Sequence, residues 1–192
     1  MKEADLLKLF EETSALLNGH FELRSGLHSN RFFQCALLLQ YPRIAEQVCV
    51  ALVEKMKAVL GDLKVDTVIS PALGGIPVGH EVARALGLRF IFAEKNAEKM
   101  LTMRRFKIEK GERFLVAEDV ITRGGRVQET IDIVNAHGGI VVAVGVLVNR
   151  SGGKAKFDYP TVSLLDIEPV TWEPAECPLC KEGKLPLVHP GS

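Results

Sequence analysis

Residues 114–126 carry the densest set of reactive groups in the chain: Phe114, Leu115, Val116, Ala117, Glu118, Asp119, Val120, Ile121, Thr122, Arg123, Gly124, Gly125 and Arg126. An apolar run delivers two adjacent carboxylates, followed by a hydroxyl, two glycines and two arginines. Ligands of open α/β sheets bind beyond the C-terminal ends of the strands, where these groups would lie. Glycines permit tight curvature, and backbone amides turned inward at a helix N-terminus can cradle a phosphate. The carboxylates would repel that phosphate. They suit ribose hydroxyls that donate to them, or the shell of a Mg²⁺ ion. A sugar phosphate spanning both halves satisfies every group. Acids and glycines alone also fit a plain strand end and turn, because short glycine motifs are unspecific.

Such a loop has to be held at a sheet edge, and the flanking sequence predicts one. β-branched or apolar runs at 66–70, 88–92, 113–117, 140–148 and 162–167 alternate with helical patterns at 76–86 and 127–137. Strand, loop and helix in alternation predict an α/β fold with a central, mostly parallel sheet flanked by helices. Continuous apolar strands fit a sheet covered on both faces. Upstream, Leu6, Leu9, Phe10, Leu16 and Leu17 predict an amphipathic helix stopping near Asn18-Gly19. Two extended segments follow around a glycine turn within 21–33, and a helix runs from Pro42 to Gly61.

The composition sets limits on function. The chain has 192 residues, 47% of them hydrophobic, with 24 basic and 24 acidic side chains, so no global charge draws it to nucleic acid or an anionic membrane. Acids among the first residues are unlike a signal peptide, and 140–148 is too short to span a bilayer. Cys35 and Cys49 lie in apolar surroundings and read as reduced thiols of a cytoplasmic protein. Cys177 and Cys180 form half of a zinc-knuckle pattern, which His189 alone cannot complete within the tail. A metal shared between subunits is one reading of the pair; packing among small apolar side chains is the default.

The string 114–126 resembles the phosphoribosyl-pyrophosphate (PRPP) signature of type I phosphoribosyltransferases. The resemblance implies that family's fold, with residues 1–192 as a single domain and 1–40 and 162–192 forming a small N-terminal hood and a C-terminal tail. It implies that Glu118 and Asp119 hold the ribose hydroxyls and act in catalysis. Val120, Ile121, Thr122, Arg123, Gly124, Gly125 and Arg126 would bind the 5′-phosphate end of PRPP. Arg123 and Arg126 stand where small residues are more usual.

Further segments resemble the orotate branch of that family. Residues 21–33 look like its early base-and-pyrophosphate segment, with Arg24 where a lysine is common and with Phe32 and Phe33 placed to flank a planar base. Residues 67–79 resemble its pyrophosphate loop, with Gly74 where some members carry a lysine. Arg150 matches the arginine that pairs with the orotate carboxylate, and Thr122 would sit beside the base. The stretch 94–107 carries five cations against Glu94 and Glu98, and resembles a mobile lid over pyrophosphate. Its histidine-free pattern is closest to a subgroup from thermophiles and archaea. The resemblance makes Lys95 a catalytic residue and Lys99 and Arg104 PRPP contacts, and it implies a homodimer whose basic loop acts in trans. It also implies Mg²⁺ as cofactor, held mainly by phosphates and without dedicated protein ligands. Transfer to adenine, xanthine or uracil, or a PRPP-sensing regulator, are the competing readings.

Overall fold

The structure, a computed structural model, describes residues 1–23, 25–167 and 170–190. Helix α1 (Glu3–Glu12) buries Leu6 and Phe10 but ends well before Asn18. Thr13 donates its hydroxyl to the Leu9 carbonyl at 2.7 Å, and Ser14 turns the chain with φ 56°. Leu16, Leu17, Asn18 and Gly19 therefore belong to strand β1 (Leu16–Glu22), not to the predicted helix. The apolar spacing was right for α1 but carried past a turn that has no glycine or proline to mark it.

β1 pairs antiparallel with β2 (His28–Phe33), joined through Gly26 at φ 82°. The short α2 (Cys35–Leu39) leads to α3 (Pro42–Leu60), which starts on its proline and stops at Gly61, as the sequence predicts. Then follow β3 (Thr67–Pro71), α4 (Gly75–Leu86), β4 (Arg89–Lys95), β5 (Leu101–Thr102), β6 (Arg113–Ile121), α5 (Gly125–Ala136), β7 (Ile140–Asn149) and β8 (Thr161–Asp166). The expected basic loop is thus partly a hairpin, because Glu94 pairs with Thr102 and Lys95 with Leu101.

The main sheet has the order β5-β4-β3-β6-β7-β8, parallel except for β5. β8 falls in the stretch expected to form the tail, yet it is an edge strand of this sheet. Pleating divides the core in two. Val68, Leu115 and Ala117 face one cluster with α3 and α4, whereas Ile69, Phe114 and Val116 face the other with Val127, Ile131 and Val134 of α5. Helices on both faces follow from strands that are apolar on both.

The tail is not simply extended. It forms β9 (Thr171–Trp172), α6 (Pro178–Glu182) and β10 (Leu187–Val188). β9 adds to β2 and β10 to β1, giving a second sheet of order β10-β1-β2-β9. Among the described residues no helix is long and apolar enough to cross a membrane.

Candidate active site

From β3 the chain crosses to β4 on one side, then returns to β6 on the other. The strand order thus reverses between β3 and β6, and the loops leaving their C-terminal ends bracket a crevice where ligands of such sheets bind. Glu118 and Asp119 lie there, inside β6; the strand runs on to Ile121, four residues past its predicted end.

The acids back onto the loop after β3. A Cβ at Gly74 would stand 2.8 Å from Asp119 Oδ2, and one at Gly75 would stand 3.0 Å from Glu118 Oε1. Two glycines therefore let the loop backbone approach two carboxylates closely. Glu118 is 6% exposed. Burial, with Asp119 beside it, holds its carboxyl well above the usual carboxylate range. A carboxylate kept in so poor an environment for its charge marks a functional site more often than a structural one.

Beyond β6, Thr122 and Arg123 are exposed and Gly124 opens α5 with φ 80°. Among the described residues no side chain caps this helix, so the amides of its first turn are without a side-chain acceptor. The two glycines are not equivalent. A Cβ at Gly124 would meet Phe157 Cζ at 2.8 Å and Ala155 Cβ at 3.1 Å, whereas one at Gly125 meets nothing within 4 Å. Gly124→Ala is therefore expected to lose ~1–3 kcal/mol of stability. Gly125→Ala should leave stability within ~1 kcal/mol of the parent, or raise it. Urea unfolding of both variants checks this.

Arg126 is already engaged, donating to Glu129 Oε2 at 2.7 Å and to the Lys99 carbonyl at 3.3 Å. Glu129 also accepts the Leu101 amide at 3.2 Å, so the basic hairpin is tied to its own α5. Val120 packs against the core and Ile121 is buried within it, so any contact they make with a ligand comes from the backbone. Lys95 ends β4, on the same sheet edge as the acids. Lys95, Lys99 and Arg104 are exposed, with no acid partner among the described residues, while Arg105 pairs with Glu94 at 2.6 Å.

Arg150 follows β7, and its amide donates to the Ile121 carbonyl at 2.8 Å, placing it beside the loop that starts at Thr122. Its guanidinium lies 5.3 Å from the Phe33 ring centroid. A cavity of about 170 Å³ opens here, lined by Ser29, Asn30, Arg31, Phe33, Arg150, Ile167 and Val170. Among the described residues, Arg150 Nε and Asn30 Oδ1 are buried without a partner. Burial also pulls the Arg150 guanidinium below its ordinary value. A half-buried arginine fork with an unused donor fits a planar carboxylate.

Phe33 lines the Arg150 cavity, whereas Phe32 is not among its lining residues. Adjacent strand residues point to opposite faces. Phe33 packs edge-on against Phe10 at 5.7 Å beneath Arg150, and Phe32 lies 5.9 Å from Phe21 instead. Arg24 lies outside the described residues. Sequence reasoning did not single out Asn30, although it lies in the segment 21–33. It also missed Cys35, whose thiol reaches the Asp119 carbonyl at 3.9 Å, because nothing local marks an apolar cysteine as a neighbour of the acids. A larger concavity, about 610 Å³ between Met1 and α3, includes none of these residues.

Comparison with known proteins agrees with this geometry. Residues 38–180 match the phosphoribosyl transferase domain family. The chain is 50% identical over its whole length to an orotate phosphoribosyltransferase of Caldicellulosiruptor bescii, covering 98% of that protein. It is 48% identical, with the same coverage, to one of Desulforamulus reducens. An orotate phosphoribosyltransferase structure from Aeropyrum pernix superposes with a TM-score of 0.72 at 25% identity, covering 84% of this chain and 93% of that one. The chain belongs to the orotate phosphoribosyltransferase family, within the wider group of phosphoribosyltransferases.

Proposed function

We propose that the chain transfers the ribose 5-phosphate group of PRPP to orotate, giving orotidine 5′-monophosphate and pyrophosphate. The observation that carries this reading is the cavity at Arg150, next to the loop that leaves β6, with a guanidinium nitrogen that is buried and has no partner among the described residues. Membership of the family supports the transfer; the arginine supports the acid base.

The C–O bond between the anomeric carbon and pyrophosphate breaks as a ring nitrogen of orotate bonds to that carbon, and the nitrogen's proton passes to the departing pyrophosphate or to water. Positive charge builds on the ribose as this happens. The chain's own share is positioning and electrostatics. Thr122, Arg123, Gly124, Gly125 and the first amides of α5 hold the 5′-phosphate. Glu118 and Asp119 accept from the ribose hydroxyls and lie near the developing cation. The loop 72–75 offers backbone amides to pyrophosphate, and Lys95, Lys99 and Arg104, reaching in from the hairpin of the other subunit, neutralise it as it leaves.

The hard oxygens of Glu118 and Asp119, facing two glycines, suit a Mg²⁺ ion bound with PRPP. When bound, the ion supplies charge neutralisation on the pyrophosphate. We further read the whole of 1–192 as one catalytic domain of a cytoplasmic homodimer, whose hairpin 94–107 serves the partner's site. The exposed, unpaired cations of that hairpin support this reading.

Ultraviolet absorbance of orotate with PRPP and Mg²⁺, run beside uracil, adenine and xanthine, is the direct test. Consumption of orotate alone is expected. Turnover of another base would remove the role given to Arg150 and leave the PRPP loop intact.

A further inference from the structure

Far from the acids, four side chains from opposite ends of the chain meet at one point. His20 Nε2 lies 3.0 Å from His28 Nδ1. Cys177 Sγ and Cys180 Sγ each lie 3.5 Å from His20 Nε2, and Cys180 Sγ lies 3.3 Å from His28 Nδ1. All four atoms fall within 4.8 Å of one another. The histidines belong to the β1–β2 hairpin, and the cysteines flank the start of α6.

Hydrogen bonding alone does not account for this cluster. His20 Nε2 has three close neighbours, yet a ring nitrogen offers one proton or one lone pair. Its other nitrogen, Nδ1, lies 3.4 Å from the Leu185 carbonyl, which fits an N–H donated outward while Nε2 is left to bind inward. That division of labour is usual for a metal-bound histidine.

The spacings also match a tetrahedron. Zn–N bonds of ~2.0–2.1 Å and Zn–S bonds of ~2.3 Å give edges of ~3.3 Å between nitrogens and ~3.5 Å between sulfur and nitrogen. The observed 3.0 Å and 3.3–3.5 Å lie close to these values. Half of the set was legible as Cys177-x-x-Cys180, and the default expectation of plain packing gives way here. His189, the histidine considered from the sequence, pairs instead with Glu22 at 3.4 Å. The missing ligands come from the other end of the chain.

We propose that His20, His28, Cys177 and Cys180 bind a structural Zn²⁺ ion. Two imidazoles and two thiolates fill four positions and leave none for a substrate, which makes the site structural. The ion staples the tail to the hairpin across sequence separations of 157 and 160 residues. The tail needs such a staple, because β9 and β10 are two residues each and a chain end so weakly paired frays unless tied down. Ser29 and Asn30 on β2, beside His28, and Val170, next to β9, line the Arg150 cavity, so the same ion steadies one wall of it. This proposal does not depend on the identity of the base.

The test uses the untagged full chain, purified under reducing conditions and dialysed against a weak chelator. Elemental analysis should find about one zinc per chain. Replacement with Co²⁺ should give the intense visible bands of a tetrahedral ion with thiolate ligands. Cys180→Ala, which alters the exposed ligand, should lose both the zinc and the bands. Stripping zinc from the parent should lower its melting temperature by ~10 °C or more, and added Zn²⁺ should restore it. Substoichiometric zinc together with no tetrahedral Co²⁺ spectrum in the reduced parent overturns the proposal. So does a Cys180→Ala protein that keeps both.

Discussion

Arg150→Ala lowers kcat/KM for orotate by ~10²–10³ and leaves PRPP affinity near that of the parent. The magnitude follows from removing one partner of a buried, charge-assisted pair, worth ~2–5 kcal/mol. Two features sharpen the expectation. Without ligand, Arg150 Nε has no partner among the described residues, and burial works against its charge. The variant should therefore unfold no more easily than the parent, apart from the lost contact with Phe33. Arg150→Lys should recover little, since an ammonium cannot reproduce the planar fork. Steady-state kinetics with varied orotate at saturating PRPP, beside a melting curve, separates binding from folding. A variant that melts early and loses PRPP binding as well would make Arg150 a structural residue.

Glu118→Gln makes the ligand-free enzyme more stable and a far poorer catalyst. The acid is buried beside a second carboxylate, so its ionised form is disfavoured where it stands. A carboxyl raised in this way holds its proton more tightly in the folded chain than in the unfolded one. The stability it contributes is complete below the ordinary glutamate range and is lost as pH rises toward the folded value. Glutamine has no proton to surrender, so the advantage of the variant widens from acid to neutral pH. It should reach ~1–2 kcal/mol, or ~2–8 °C in melting temperature. Turnover should fall by ~10²–10³, the usual loss when one group aimed at developing charge is removed. Melting curves across pH, paired with single-turnover rates, report both effects. Equal stability at every pH would remove the burial penalty from the account. Unchanged turnover would remove Glu118 from the chemistry.

Opposite signs for folding and function are what a binding site produces when it stores unfavourable electrostatics for a ligand to relieve. Gly74 and Gly75 belong to the same arrangement. They add no side-chain packing and place the backbone against the two acids.

Much of this was legible in the sequence because it is local. The run from Phe114 to Arg126 holds strand, acids, glycine turn and helix start within contiguous residues, so pattern and turn chemistry were enough to place those elements. Pro42 and Gly61 likewise marked both ends of α3. Local signals failed where a turn used ordinary residues, as at Thr13 and Ser14, which hid the start of β1.

What tertiary structure alone decided are the meetings across long separations. Asn30 and Arg150 share a cavity only because β2 and the end of β7 converge. The His20, His28, Cys177 and Cys180 cluster exists only because the tail returns to pair with the hairpin. A sequence specifies such contacts through the packing energy of the whole chain. No stretch of a few residues records which distant partner will lie opposite it. The chemistry that could act was therefore written in residue types, and the sites where those residues act together were set by the sheet order and the path of the tail.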